Sequence, residues 1–321
     1  MKMPRARPPL NTFGVAFGLT GLAGAWTEAT EVLASPQFIG EALWCIALLV
    51  WLTIAVFYFG RLHSWKELLG DLKHPVLGPF AALIPIPPML LGAHLVRISP
   101  AVGVTLVCLC VVVSAVFGAW FTSQLLTVTR GFGPVHSGYF LPTVAAALLS
   151  AQSLAVIGQP KLAVGTLGIG ILFWLLIGGA VIARVIAGPE SLAALMPTLG
   201  IFSAPPAVAG NAWWIISAGH GGTISQLLAG AMAAVIAPHL FLVGRYAKLP
   251  FTLGFWALTF TAAASATFTI RLLSAERASW AVVVAWIVLA AATSFICAIG
   301  VRSLALLTPR RKAPLSDTAR R

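Results

Sequence analysis

Charge is the scarcest commodity in this chain: Asp, Glu, Lys and Arg make up 9% of its 321 residues. Soluble domains carry about 25%, so most of this surface does not face water. Acids are scarcer still, at eight against twenty Lys and Arg. Glu28, Glu31, Glu41 and Glu276 fall at segment rims, Glu67, Asp71, Glu190 and Asp317 between or beyond segments, and none near the centre of an apolar run. Cysteine is limited to Cys45, Cys108, Cys110 and Cys297, all inside apolar runs, where they read as small buried hydrophobes and imply no disulfide or metal framework. There is no Gly-rich phosphate loop, nucleophile motif or Cys/His cluster. These absences argue against an enzyme, a metal site or a bound cofactor.

What is present is apolar. Hydrophobic residues are 59% of the chain, with a mean hydropathy of +0.96. Backbone polar groups in lipid must be satisfied internally, which predicts an all-α integral membrane protein. Runs near 12–34, 38–59, 76–97, 101–125, 139–158, 162–185, 195–218, 223–244, 251–273 and 279–303 are each long enough to cross a bilayer. They divide the chain into an N-terminal segment 1–11, a ten-helix membrane domain 12–303 and a basic tail 304–321. The start, MKMPRARPPL followed by an apolar run and Ala23-Gly24-Ala25, imitates a cleavable signal. Because the remaining length is also apolar, it is read as a retained first helix.

Ten crossings with the N-terminus inside put sixteen basic residues on the cytoplasmic side and leave only Arg97, Lys161, Arg271 and Arg277 opposite. That asymmetry places both termini in the cytoplasm. It also explains a pI near 10.5 without any nucleic-acid partner. Odd-numbered runs begin near 12, 76, 139, 195 and 251, a near-constant step that predicts five helical hairpins. Proline concentrates in odd runs (Pro85, Pro87, Pro88, Pro142, Pro197, Pro205, Pro206), whereas Pro238 alone lies well inside an even one. A proline kink is tolerated in lipid only where protein or water compensates. Odd helices are therefore expected in an inner ring and even helices in a lipid-facing outer ring. The hydroxyls of Thr20, Ser150, Ser203, Thr259 and Thr267 would then line an uncharged path. The partial positive ends of broken helices favour anions there. Neither intramembrane histidine, His94 or His239, has a metal-ligand neighbour in sequence, and both are read as structural.

One stretch stands out. In WALTFTAAASATF (256–268), Phe260 shares its helical face with Trp256, Ala257, Ala263, Ala264 and Thr267, so one bulky ring sits beside small side chains.

GLTGLAGAW (18–26), HPVLGPFAALIPIPPMLL (74–91), HSGYFLPTVAAALLSAQSLAVIG (136–158), GIFSAPPAV (200–208) and GFWALTFTAAASATF (254–268) together resemble the TehA family. This family comprises tellurite-resistance and C4-dicarboxylate transporters and the slow-type anion channels of plants. The resemblance implies ten helices in five hairpins, odd helices around a central pore, and a homotrimer with one pore per subunit in the cytoplasmic (inner) membrane. It implies small inorganic or organic anions as permeants. It also implies a pore-plugging phenylalanine in the ninth helix, and the W-A-x-[ST]-F pattern puts that role on Phe260. Further pore-lining expectations fall on Phe17, Thr20, Pro85, Pro142, Ser203, Pro205, Ala264 and Thr267. The implied function is an anion channel or channel-like exporter; a secondary carrier of C4-dicarboxylates or tellurite-type oxyanions is the alternative. The chain departs from the family pattern at Ala16 and Phe17, where relatives carry proline and a smaller aliphatic residue. It departs again at Thr261, where the plant channels carry proline, and at Ser137, where H-P is common.

Overall fold

A computed structural model of the chain describes residues 7–128, 133–188, 193–276 and 278–306. Lys2, Arg5, Arg130, Glu190, Arg277, the tail basic residues from Arg310 onward and Asp317 lie outside the described residues. Among the described residues every regular element is helical: α1 Gly14–Leu33, α2 Gln37–Phe59, α3 Trp65–Lys73, α4 Ile86–Leu95, α5 Pro100–Thr127, α6 Ala146–Val156, α7 Pro160–Ala187, α8 Leu199–Phe202, α9 Pro205–Ile216, α10 Gly222–Lys248, α11 Trp256–Ser274 and α12 Ser279–Ala305. Short 3-10 or π turns lead into α1, α4, α6, α8 and α11.

Counted with those lead-in turns, eight segments are long and apolar enough to cross a membrane. The two expected runs that fall short do so for visible reasons. Glu28 and Glu31 lower the apolarity of α1, and the α8–α9 run breaks before Pro205-Pro206. The eight differ sharply in packing. The segments Gly78–Leu95, Ser137–Val156 and Leu253–Ser274 are 56–83% buried, whereas α2, α5, α7, α10 and α12 are 6–28% buried. The well-covered elements close a cycle: α1 packs on α4, α4 on α6, α6 on α9, α9 on α11, and α11 back on α1. Each also packs on the long, exposed helix that follows it in sequence.

The proline kinks of this cycle are compensated by name. Pro88 cannot donate to the carbonyl four residues earlier, Ile84 O, and the indole Nε1 of Trp51 in α2 donates to it instead at 3.0 Å. At the α8–α9 break, Thr261 Oγ1 of α11 donates to Gly200 O at 2.6 Å. The Ser203 hydroxyl donates to Val235 O of α10 at 2.9 Å.

Two glycines set the approach of α1 to α11. A Cβ at Gly18 would lie 2.8 Å from Trp256 Cε3, and one at Gly21 would lie 2.8 Å from Phe260 Cδ2. Only a hydrogen fits at either place.

The start of α1 and the end of α12 share one face. Gly14 lies beside Trp256, whose Nε1 donates to Ser303 Oγ at 2.9 Å. Arg7 anchors the incoming chain there through Glu67 at 3.0 Å and Asp71 at 2.8 Å. We call this the terminal face and the opposite one the far face. The cysteine expectation needs correcting: all four thiols are free, but only Cys110 is buried, while Cys45, Cys108 and Cys297 lie on the outside of the bundle. An exterior facing lipid is as apolar as a core, so composition did not separate the two.

Candidate functional site

Phe260, in the second turn of α11, is 6% exposed and stacks on Phe17 of α1. The ring centroids are 3.7 Å apart with an interplanar angle of 11°. The Phe260 ring rests in the notch left by Gly21. The emptiness expected beside Phe260 is thus partly filled. Ala263 is turned towards Gly21 of α1, while Ala264 and Thr267 face open space.

That space is a cavity of about 510 Å³ on the far-face side of the rings. Thr20, Phe260, Ala264, Thr267 and Arg271 line it. Positions 260, 264, 267 and 271 form one stripe along α11, so a single helical face runs from the ring to the mouth. On the other side of the two rings Pro205 and Val208 bound a pocket of only about 20 Å³. Phe260 and Val208 line both spaces.

The remaining expected residues are dispersed. Pro85 caps the start of α4 and lines neither space. Pro142 lines an apolar groove of about 470 Å³ between α5 and α7, together with Ser150. The Ser203 hydroxyl points at α10, where His239 Nε2 lies 2.6 Å away. Since that hydroxyl donates to Val235 O, Nε2 carries the proton of this bond, and Nδ1 accepts from Tyr246 OH at 2.9 Å. His239 therefore bridges two side chains, Ser203 and Tyr246. Thr20, Thr259 and Thr267 donate to carbonyls of their own helices; Thr20 and Thr267 line the cavity, whereas Thr259 is fully buried against Gly18 of α1 and lines neither space.

Two ionic features overturn the reading of an uncharged path, and one of them gives the structural His94 an acidic partner. His94 Nε2 lies 3.0 Å from Glu41 Oε2, and its ring stacks on Trp44 at 4.7 Å. Glu41 and His94 are 53 residues apart, a separation at which sequence gives no pairing signal. Arg271, at the far end of the α11 stripe, is only 9% exposed. Its Nε and Nη2 donate to Glu28 Oε2 at 2.8 and 2.6 Å, and its Nη1 to Asn211 O at 3.0 Å. Asn211 in turn ties α9 to α11 through Ala264 O at 2.9 Å. Glu28 and Arg271 were assigned to an outer rim; they are instead buried in the cavity wall, because each neutralises the other.

An all-helical bundle with exposed apolar helices outside, kinked helices inside and a ring-lined internal space defines a multi-pass membrane protein. The chain belongs to the SLAC1 family of voltage-dependent anion channels, which it matches over residues 8–304. It is 27% identical over 269 residues to a tellurite resistance protein TehA homolog of Haemophilus influenzae, covering 80% of this chain and 79% of that one. It is 26% identical over 282 residues to the S-type anion channel SLAH2 of Arabidopsis thaliana and 22% identical over 315 residues to SLAH3. These matches cover 83% and 93% of this chain but only 52% and 48% of the plant proteins, so the chain spans about half their length.

Proposed function

We propose that the protein is an anion channel, or channel-like anion exporter, of the cytoplasmic membrane, held shut by Phe260 with Phe17 behind it. The observation that supports this reading is the stacked Phe17–Phe260 pair, of which Phe260 lines both the far-face cavity and the small pocket beyond while Phe17 lines the small pocket. The pair lies where α1, α9 and α11 converge, and the wall beside it is Ala264, Thr267 and Thr20. In this reading the chain crosses the bilayer ten times as five hairpins. The closed cycle of α1, α4, α6, α9 and α11 forms the pore wall and the exposed helices its lipid-facing ring. The basic excess sets both termini in the cytoplasm, so the far-face cavity opens outward. Three copies assemble as a homotrimer with one pore each, as the family resemblance implies.

One observation favours a second reading, a secondary carrier of C4-dicarboxylates or tellurite-type oxyanions. His94, paired to Glu41 behind it, lines the cavity, and a proton-coupled carrier needs a titratable pair in its path. Single-channel recording in planar bilayers tests the proposal. Unitary steps above any carrier turnover support a channel; pH-gradient-driven uphill uptake without steps supports the carrier.

A further inference from the structure

Four charged side chains line the far-face cavity: Glu28, Glu31, Arg97 and Arg271. His94 completes the ionisable set there, paired to Glu41. Taken formally, two acids cancel two bases. The two ion pairs are not equivalent. Arg97 and Glu31 meet at the mouth, with side chains 62% and 45% exposed, where water screens them. Arg271 and Glu28 are 11% and 10% exposed, and they lie deeper. Arg271 follows Phe260 by eleven residues on the same stripe, about 16 Å along the helix axis. Its guanidinium spends two N–H groups on a single oxygen of Glu28 and the others that are bonded on Asn211. A buried guanidinium fork gripping a carboxylate is the geometry in which arginine binds anions. Here the bound anion is part of the chain.

We propose that Glu28 is a tethered counter-anion occupying an anion-binding guanidinium, and that the pair sets how strongly the cavity gathers permeant anions. Arg271 becomes specificity-determining once Glu28 no longer occupies it, and its preferred class is then a carboxylate-sized oxyanion, the group Glu28 imitates. The proposal rests on the channel reading above for its effect on current, but not for its effect on binding. With Glu28 neutral, Arg271 would be a buried cation facing a space large enough for an anion. Clefts of one sign with low-dielectric walls concentrate counter-ions.

The test uses the full chain with Glu28→Gln, which keeps an oxygen to accept from Arg271. In a Phe260→Ala background, Glu28→Gln is expected to raise chloride conductance at least about threefold in about 0.01 M salt and to leave it unchanged at about 1 M, where the Debye length falls to about 3 Å. Acetate should gain more than chloride. Glu31→Gln, the same charge change at a solvated pair, should give a smaller effect, and Arg271→Gln should lower conductance in dilute salt. A binding readout needs no current: Trp44 and Trp214 line the same cavity. Glu28→Gln should increase quenching of tryptophan fluorescence by iodide at low ionic strength without changing quenching by neutral acrylamide. Should Glu28→Gln not fold, Arg271→Gln reads the same point with the opposite sign. Unchanged iodide quenching, or a conductance change indifferent to salt, overturns the proposal. A silent Phe260→Ala channel with increased iodide quenching would instead overturn the channel reading and leave this one standing.

Discussion

Replacing Phe260 by alanine is the most direct trial of the occluded-pore reading. To unblock the path, the wild-type ring must leave Phe17, with which it stacks at 3.7 Å, and the notch at Gly21. Truncating a buried phenylalanine to alanine removes contacts worth about 3–5 kcal/mol, aromatic stacking included. If those contacts hold the ring in place, about 1.4 kcal/mol per decade makes the open fraction of wild type roughly 10² to 4×10³ times smaller than that of the variant. Anion current per protein molecule should therefore rise on that order, measured under voltage clamp with surface expression quantified in parallel. Phe17→Ala should give a smaller rise, since Phe260 keeps its Gly21 seat. Gly21→Ala, which puts a methyl into the ring's place, should leak or fail to accumulate. Equal currents from wild type and Phe260→Ala at matched expression would refute the reasoning, because Phe260 is the ring that lines both spaces.

Three further outcomes follow from the same geometry. Because the buried Arg271 is neutralised by Glu28 and, among the described residues, the other Lys or Arg of the cavity lining is Arg97 at the mouth, selectivity should follow ease of dehydration, with nitrate or iodide ahead of chloride; reversal potentials check this, and a strict preference for one anion or any cation permeability would contradict it. His94→Gln, which retains a hydrogen-bonding amide towards Glu41, and His239→Gln should leave channel current intact, whereas loss of pH-driven uptake in proteoliposomes would favour the carrier. His136, in the loop before the segment that starts at Ser137, is pushed down to about 4 by burial, with Nδ1 accepting from Gly138 N and Nε2 donating to Val76 O. The unfolded chain binds this proton near pH 6.5, so stability present above that pH should be lost by up to about 3 kcal/mol as pH falls towards 4. Thermal melts of wild type and His136→Gln between pH 7 and 4 measure it, and parallel pH profiles would contradict it.

Much of this architecture was legible because lipid permits so few solutions. The apolar runs match helical segments to within a few residues, and the alternation of proline already separated kinked, covered segments from straight, exposed ones. The pairing of Phe260 with Phe17 was approached from both ends, as a gate expectation and as a departure from the family pattern, but contact across 243 residues has no local signature. The same holds for Glu28 with Arg271. Periodicity does extend the Phe260, Ala264, Thr267 stripe to Arg271, so this residue was available to a helical-wheel argument carried one turn further. The amphipathic helix α3 was also within reach: Ser64-x-x-Glu67 is a helix-start signal, and Ser64 Oγ accepts from Glu67 N at 3.3 Å. Pro142 and Ser203 went elsewhere because proline and serine serve kink repair in lipid as readily as they line a path.

The unequal spaces on either side of the ring pair have a consequence for the direction of flow. A side chain can swing only where volume exists to receive it. Phe260 is backed by α1 at Gly21, faces about 510 Å³ on one side and about 20 Å³ on the other. Under the proposed function, an ion pressing outward displaces the ring into free volume, whereas one pressing inward drives it against Phe17 and a pocket with no room to accept it. Such a closure behaves as a valve with a preferred sense, and current through the wild-type protein in symmetric solutions should rectify, while the Phe260→Ala variant, lacking the flap, should conduct equally both ways.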